Sequence, residues 1–565
     1  MLGWFNRTQT TGEITPDDIF LDSSNLPGLA VEQFEGRIER PVSPISIWSV
    51  GAVFFVIVLM FGFRAFSLQV LQGAQLAAVA QENRLAHSLI FAERGVIYDR
   101  KGMELAWNEG STTLPFAMRR YSEIPGIAHI IGYVRYPKAD TAGIWWRTDL
   151  SGVSGAEHIF NDALGGKNGT EMAEVDAHNA IQRRSIIEPP KDGRSIALSI
   201  DAELQSKLHG ILAEHINNNG FEGGSAVVMD VKTGEIIALT NIPEYSSQAL
   251  TDGLRQTVER YSMDPKKPFL NRAIGGAYTP GSIVKPLFAA AALTEGIIDP
   301  RKTIFSPGFI TVPNQYHPEQ PTIIKDWRAH GWTDMREAIS VSSDVYFFSI
   351  GGGYEGQEGL GISRIDKYAT EFGLGKKTGI DLAGEVEGVI PTPEWKQDIF
   401  GTDEPWRLGD TYNTSIGQYG FQVTPIQVVR AIAAIANGGT LLAPHLIASS
   451  TPILMPIHIK DEDLRVVREG MHLAVTSDIG TARALNISGF PIAGKTGTAE
   501  VGSKKQWMNS WVVGFWPYQE PEYAFAVVLE RAPAGTLSGA APAMRKFFDW
   551  LAHRDEPQLP LLLPQ

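Results

Sequence analysis

The chain is 565 residues long, with 43% hydrophobic and 20% charged residues. That is too long for one hydrophobic core and too ordinary a composition for a disordered, fibrous or many-spanning membrane protein, so about three folded parts are expected. A net charge of −14 without any basic block excludes a surface built for nucleic acid, and the absence of cysteine excludes disulfides, thiolate catalysis and every cysteine-containing zinc site.

Residues 1–44 are polar and acidic and read as an N-terminal tail. The next segment, Ile45 to Phe63, carries no charge over about 19 residues, enough to cross a bilayer core, with Trp48 and Arg64 as interface anchors. It predicts a transmembrane helix over 45–66. A long polar segment precedes it, so it does not have the layout of a cleaved signal peptide and is expected to stay as an anchor. Arg37 and Arg40 before it against Arg64 after it favour an N-terminus on the cytoplasmic side. No second long apolar run follows, which places the rest of the chain on one side of the membrane.

From Leu68 to about Glu93 the apolar residues fall at helical spacing and predict a stalk helix. Ala92 to Trp107 reads as a hairpin turning at Asp99-Arg100-Lys101-Gly102. The sequence up to Pro190 is rich in glycine and turn residues, which predicts a β-rich, non-catalytic pedestal over 67–192. A second domain, 193–552, opens with a strand ending near Ile200 and a helix capped by Asp201. Strands at Ser225–Met229 and Glu235–Thr240 near its start, and around Val512–Phe515 and Tyr523–Leu529 near its end, enclose helical sequence. The predicted class is therefore α+β, an antiparallel sheet assembled from distant parts of the chain and flanked by helices. The tail 553–565 is broken by prolines and too short to span a membrane.

Three short patterns carry chemistry. In YTPGSIVKP, Ser282 opens an apolar helix and Lys285, three residues on, lies on the same face within reach of its hydroxyl. Burial there is expected to favour a neutral amine that could take the serine proton, and the helix N-terminus offers N–H groups to a reacting carbonyl. By itself S-x-x-K is a common pattern. K-T-G occurs three times, at Lys232, Lys377 and Lys495, and only the third precedes a strand pair that would make it a sheet edge. Lysine and hydroxyls on such an edge can bind a carboxylate while an extended peptide pairs alongside. Between them, SVSSDVYFF supplies Ser342 and Asp344. S-x-x-K, then S-x-N or S-x-D, then K-T-G, in that order, marks penicillin-recognising enzymes.

With ENR and ERGVIYDRKG in the stalk and pedestal, GVSGAEHIFNDALGGKNGTE, NRAIGGAYTPGSIVKP, and SIGQYGFQVTPIQ followed by IANGG, the chain resembles the class B penicillin-binding proteins over nearly everything after residue 45. Within that family it looks most like the elongation-specific penicillin-binding protein 2 branch. The resemblance implies a single-pass protein of the bacterial inner membrane with its catalytic domain on the periplasmic side. It implies a peptidoglycan D,D-transpeptidase that cross-links stem peptides through an acyl-enzyme and is a target of β-lactams. Ser282 would be acylated, Lys285 would take its proton, Ser342 would shuttle a proton and Asp344 would hold the network. Lys495, Thr496, Gly497 and Thr498 would line the carboxylate site, with the N–H groups of Ser282 and Thr498 as oxyanion hole. It implies no metal or organic cofactor, and as partners a RodA-type glycosyltransferase and an MreC-type regulator.

Many relatives carry Asn where Asp344 stands, and an ionised aspartate cannot donate a hydrogen bond. Aspartate there is familiar in the elongation branch. The division-specific transpeptidase of the same family would share every catalytic residue. A β-lactamase is disfavoured by the pedestal and the long gap between Ser342 and Lys495, and a D,D-carboxypeptidase by the anchor and the pedestal. A non-enzymatic β-lactam sensor or scaffold would be expected to carry further spans or to tolerate loss of Ser282.

Overall fold

The structure, a computed structural model, describes residues 43–76, 85–141, 144–175, 181–313 and 319–554. Most of both expected tails, 1–44 and 553–565, and part of the expected stalk lie outside the described residues. The chain divides into two compact units, residues 1–86 with 173–183, and residues 87–172 with 184–565.

In the first unit Pro44–Phe66 forms a helix whose first N–H groups meet a Ser43 cap and a proline in the first turn. Its large apolar side chains are exposed, Val53 and Phe54 included. Ile47–Leu71 is the one described segment long and apolar enough to cross a membrane. The expected stalk helix is corrected. A π-helical turn, Ser67–Leu71, and a further turn at 73–76 follow, but Leu85–Ile90 is a strand. Helical spacing of small apolar residues over a short run does not by itself distinguish helix from strand, and backbone pairing decides it.

The pedestal part of the second unit is β-rich, as expected, with short helices between the strands. One sheet has the order Ile196–Ala197, Ile97–Tyr98, Glu104–Glu109, Met118–Tyr121. Asp99 forms the predicted turn by accepting the Lys101 and Met103 N–H groups at 2.8 Å each. Below it Glu157, fully buried, receives Arg94 Nε at 2.5 Å and Arg119 Nε at 2.7 Å. This triad joins the ERGVIYDRKG and GVSGAEHIF segments, which explains why two remote sequence patterns belong together. Residues past 192 complete the pedestal sheet: Ile196–Ala197 runs parallel to Ile97–Tyr98, and Arg100 N donates to Ile200 O at 3.0 Å.

Asp201 caps the helix Ala202–Asn219 through the N–H groups of Glu203 and Leu204. The central sheet has five antiparallel strands in the order Ile236–Ile242, Gly223–Asp230, Tyr523–Pro533, Trp507–Trp516, Ala493–Val501. Successive side chains point to opposite faces. Ala226, Val228, Val512 and Val527 accordingly pack with Leu208, Leu212, Phe547 and Phe548 of the Ala202–Asn219 and Ala540–Ala552 helices. Val227, Met229, Val513 and Val528 pack on the other face with Phe288, Val429 and Ile432 of the Lys285–Thr294 and Pro425–Ala436 helices. Both faces are covered, so these strands read as continuous apolar runs. Ala493–Val501 is left as an edge, with its outer N–H and C=O groups unpaired by the sheet.

Candidate active site

Ser282 does not sit in the α-helix itself. Gly281–Val284 forms a 3-10 turn that leads into the helix Lys285–Thr294, with Pro286 harmless in its first turn. The preceding loop is fixed from three sides. Trp511 Nε1 donates to Thr279 O at 3.0 Å, Tyr278 and Val423 exchange backbone hydrogen bonds at 2.9 Å, and Gly281 N donates to Gly417 O at 2.9 Å. Gly281 has φ +56, and a Cβ there would stand 2.6 Å from Thr498 O. Only glycine fits a left-handed position against a neighbouring backbone. The SIGQYGFQV segment therefore serves to hold the serine turn.

The edge strand approaches this turn as closely as backbone allows. A Cβ on Gly497 would meet Ile283 Cγ2 at 2.8 Å and Pro280 O at 2.9 Å. Gly497→Ala is expected to push strand and turn apart, lower stability by about 1–3 kcal/mol and slow acylation; thermal melting and labelling kinetics measure both. Thr498 is exposed beside the half-buried Ser282, and its backbone N lies 3.5 Å from the position of a Cβ on Gly281.

Asp334 caps the helix Met335–Val341, which ends at Ser342 in the left-handed region, φ 59 and ψ 43. Ser343 then caps the next helix, Asp344–Gly352. A non-glycine residue at positive φ is a strained conformation of the kind that clusters at functional sites. Here it turns the Ser342 hydroxyl toward two lysines, both fully buried. Lys285 Nζ donates to Asp344 Oδ1 at 2.6 Å, Ser342 O at 2.9 Å and Ser342 Oγ at 3.2 Å. Lys495 Nζ donates to Ser342 Oγ at 2.9 Å and Thr496 O at 2.8 Å. Burial pushes the Lys495 amine well below the ordinary lysine range, the charge of Lys285 adds to that, and Asp344 opposes it.

Lys285, Ser342, Asp344 and Lys495 are thus in one hydrogen-bonded cluster, and Ser282, Gly497 and Thr498 stand at the turn and strand against it. The expected direct pairing of Lys285 with Ser282 is replaced by an ion pair with Asp344, because a carboxylate on a neighbouring helix outcompetes a neutral hydroxyl for a buried ammonium. The other two K-T-G copies lie elsewhere. Lys232 and Thr233 are in the turn after Asp230, and Thr378 is bound by Glu385 in a loop.

Sequence reasoning missed Asp326 and Trp327. The buried Asp326 Oδ2 accepts from Ser343 Oγ at 3.1 Å and Val345 N at 3.0 Å. Burial alone would raise its pKa, but the approach of His330, the Val345 N–H and the charge of Lys285 outweigh this and hold it below the usual aspartate range. His330 Nε2 is 3.4 Å from Asp326 Oδ1 without hydrogen-bond geometry, so we read it as a charge-dependent neighbour only. Trp327 Nε1 donates to Ser342 O at 3.2 Å. The signal in the sequence is no more than an Asp-Trp pair in an unremarkable loop. Among the described residues no cluster of three or more His, Asp or Glu side chains is placed to hold a metal ion.

Residues 224–549 match the family model of the penicillin binding protein transpeptidase domain, and residues 112–198 that of the penicillin-binding protein dimerisation domain. The chain is 33% identical over 482 residues to the peptidoglycan D,D-transpeptidase MrdA of Haemophilus influenzae, covering 79% of this chain and 71% of that one. Its structure resembles that of penicillin-binding protein 2 in complex with MreC from Helicobacter pylori, with a TM-score of 0.69, 25% identity, and coverage of 83% and 98% of the two chains. A chain from a peptidoglycan synthase complex described as coordinating polymerization and crosslinking is similar at a TM-score of 0.71 and 26% identity, with 91% and 100% covered.

Proposed function

This chain belongs to the class B penicillin-binding proteins, and from that premise we propose that Ser282 is the nucleophile of a peptidoglycan D,D-transpeptidase acting in cell elongation. The observation that carries the reading is the single Ser342 hydroxyl held between two buried lysines at the edge of the sheet, 3.2 Å from Lys285 Nζ and 2.9 Å from Lys495 Nζ.

A donor stem peptide pairs along the Ala493–Val501 edge with its terminal carboxylate at Thr496, Thr498 and Lys495. A negative charge arriving beside Lys495 favours the protonated form of its amine. A proton passed from Lys285 through the Ser342 hydroxyl supplies that charge and leaves Lys285 neutral. Lys285 then accepts the Ser282 proton as Oγ attacks the carbonyl of the penultimate D-alanine, and the N–H groups of Ser282 and Thr498 receive the oxyanion. The C–N bond breaks, the leaving D-alanine amine takes a proton by way of Ser342, and the acyl group stays on Ser282. The amine of a second stem peptide attacks this ester, returns the hydroxyl to Ser282 and completes the cross-link. Water in place of that amine gives a D,D-carboxypeptidase side reaction. β-Lactams enter the same path and stop at the ester.

The apolar helix Pro44–Phe66 anchors the chain in the inner membrane, residues 67–192 act as pedestal, and 193–552 as a catalytic domain on the periplasmic side. A RodA-type glycosyltransferase and an MreC-type regulator are the partners of this reading, which the complexes formed by its structural relatives support. Depletion separates elongation from division: round cells are expected, and filaments would assign the division branch. Mass spectrometry of the penicillin-treated chain tests the nucleophile. The added mass is expected on the peptide containing Ser282; its appearance on a peptide containing Ser342 and Ser343 would overturn the assignment.

A further inference from the structure

Ser342 is held from outside its own helix pair by two consecutive residues. Asp326 takes the Ser343 hydroxyl and the Val345 N–H, which fixes the start of the helix Asp344–Gly352. Trp327, whose own N–H donates to Asp326 Oδ1 at 2.7 Å, turns its indole the other way and donates Nε1 to the carbonyl of Ser342 at 3.2 Å. That carbonyl is also one of the three acceptors of the Lys285 ammonium, at 2.9 Å. One peptide group thus carries the lysine on one lone pair and the indole on the other.

A backbone at φ 59 and ψ 43 does not hold itself there in a non-glycine residue, and the surroundings must determine it. Rotation of the peptide plane after Ser342 would carry the carbonyl away from Lys285. Each hydrogen bond that fixes this plane therefore keeps Lys285 aligned with the Ser342 hydroxyl. Unlike Lys285, Ser342 and Lys495, Trp327 is not buried: it is 55% exposed, with Arg328 4.5 Å above its ring and His330 packed edgewise against it. A hydrogen bond from a half-exposed ring to a buried carbonyl costs side-chain freedom and adds little to the fold. Its consequence lies at the lysine.

We propose that Trp327 is a positioning residue for the acylation step, acting through its indole N–H on the Ser342 carbonyl to keep Lys285 and the Ser342 hydroxyl in register. The inference rests on the transpeptidase reading. It assigns Trp327 an effect on the chemical step and none on the binding of the ligand that precedes it.

The test separates these two quantities in the full-length, detergent-solubilised chain, with a fluorescent penicillin as probe. The first-order acylation rate constant and the dissociation constant of the preceding non-covalent complex are measured for the wild type, for Trp327→Phe, and for a chain carrying 3-benzothienylalanine at position 327. The last keeps the shape of the indole and replaces its N–H with sulfur. Both changed chains are expected to lose about fivefold to tenfold in the acylation rate constant, the size of one hydrogen bond felt in the transition state. Their dissociation constants are expected to stay within about twofold of the wild type. A benzothienylalanine chain that acylates as fast as the wild type would sink the proposal, as would a loss confined to the dissociation constant, since the ring would then be a contact surface only. A wild-type chain that no penicillin acylates would instead overturn the transpeptidase reading itself.

Discussion

Ser282→Ala is expected to bring covalent penicillin labelling down to background and to leave thermal stability within about 0.5 kcal/mol of the wild type. The side chain is half-buried, and its hydroxyl has no hydrogen-bond partner among the described residues, so its removal leaves nothing unsatisfied. Under the proposed assignment the chemical loss is complete, because the other two serines of the site are engaged in hydrogen bonds. Ser343 is spoken for: its hydroxyl donates to Asp326 and accepts the Tyr346 N–H. Ser342 is 6% exposed, and its hydroxyl is taken up by both lysines, at 3.2 Å from Lys285 Nζ and 2.9 Å from Lys495 Nζ. Ser342→Ala should accordingly slow labelling by roughly 10²–10⁴-fold without abolishing it, the range associated with loss of a proton-transfer group. Gel fluorescence after a fixed exposure distinguishes the two. Residual labelling of Ser282→Ala at the wild-type rate would transfer the nucleophile to another residue.

The three serines also show how much of this site could be read before any coordinates. The order of Ser282, Ser342 and Lys495 along the chain was informative because strands flank the third motif, and the structure makes Ala493–Val501 the sheet edge that this implies. The α+β class was legible for the same reason: strand pairs near residues 225–242 and 507–533 are strongly apolar, and a long separation between them requires a sheet closed late in the chain. What could not be read is what depends on charges meeting across elements. Lys285 finds Asp344 because two helices cross, and helical spacing within one of them pointed to Ser282 instead. Asp326 and Trp327 act through a carboxylate and an indole reaching residues 15 to 19 positions away in the chain, with no local pattern to announce them. The strand Leu85–Ile90 was hidden behind a helical spacing of alanine, glutamine and leucine, residues that follow whichever pairing the tertiary structure offers.

Lys495→Met is expected to cut acylation by roughly 10²–10⁴-fold and, at neutral pH, to raise the melting temperature. The two effects have one cause. Lys495 is fully buried beside the charge of Lys285, and both circumstances disfavour its own protonation. In the unfolded chain the amine returns to an ordinary value of about 10.4 and binds a proton that the folded site accepts poorly. The unfolded state thus holds more protons at pH 7, so this residue lowers stability there, and the penalty shrinks as pH rises toward that unfolded value. Methionine fills a similar volume with no charge to bury; against this stand two lost hydrogen bonds, to Ser342 Oγ and Thr496 O, of about 1 kcal/mol each. The advantage of the variant over the wild type should therefore narrow between neutral pH and pH 10, and melting curves across that range measure it. Acylation of the wild type should fall at acid pH, as protonation of Lys495 would close the proposed path by which Lys285 sheds its proton through Ser342. A variant less stable than the wild type throughout would show that the two hydrogen bonds outweigh the cost of burying the amine.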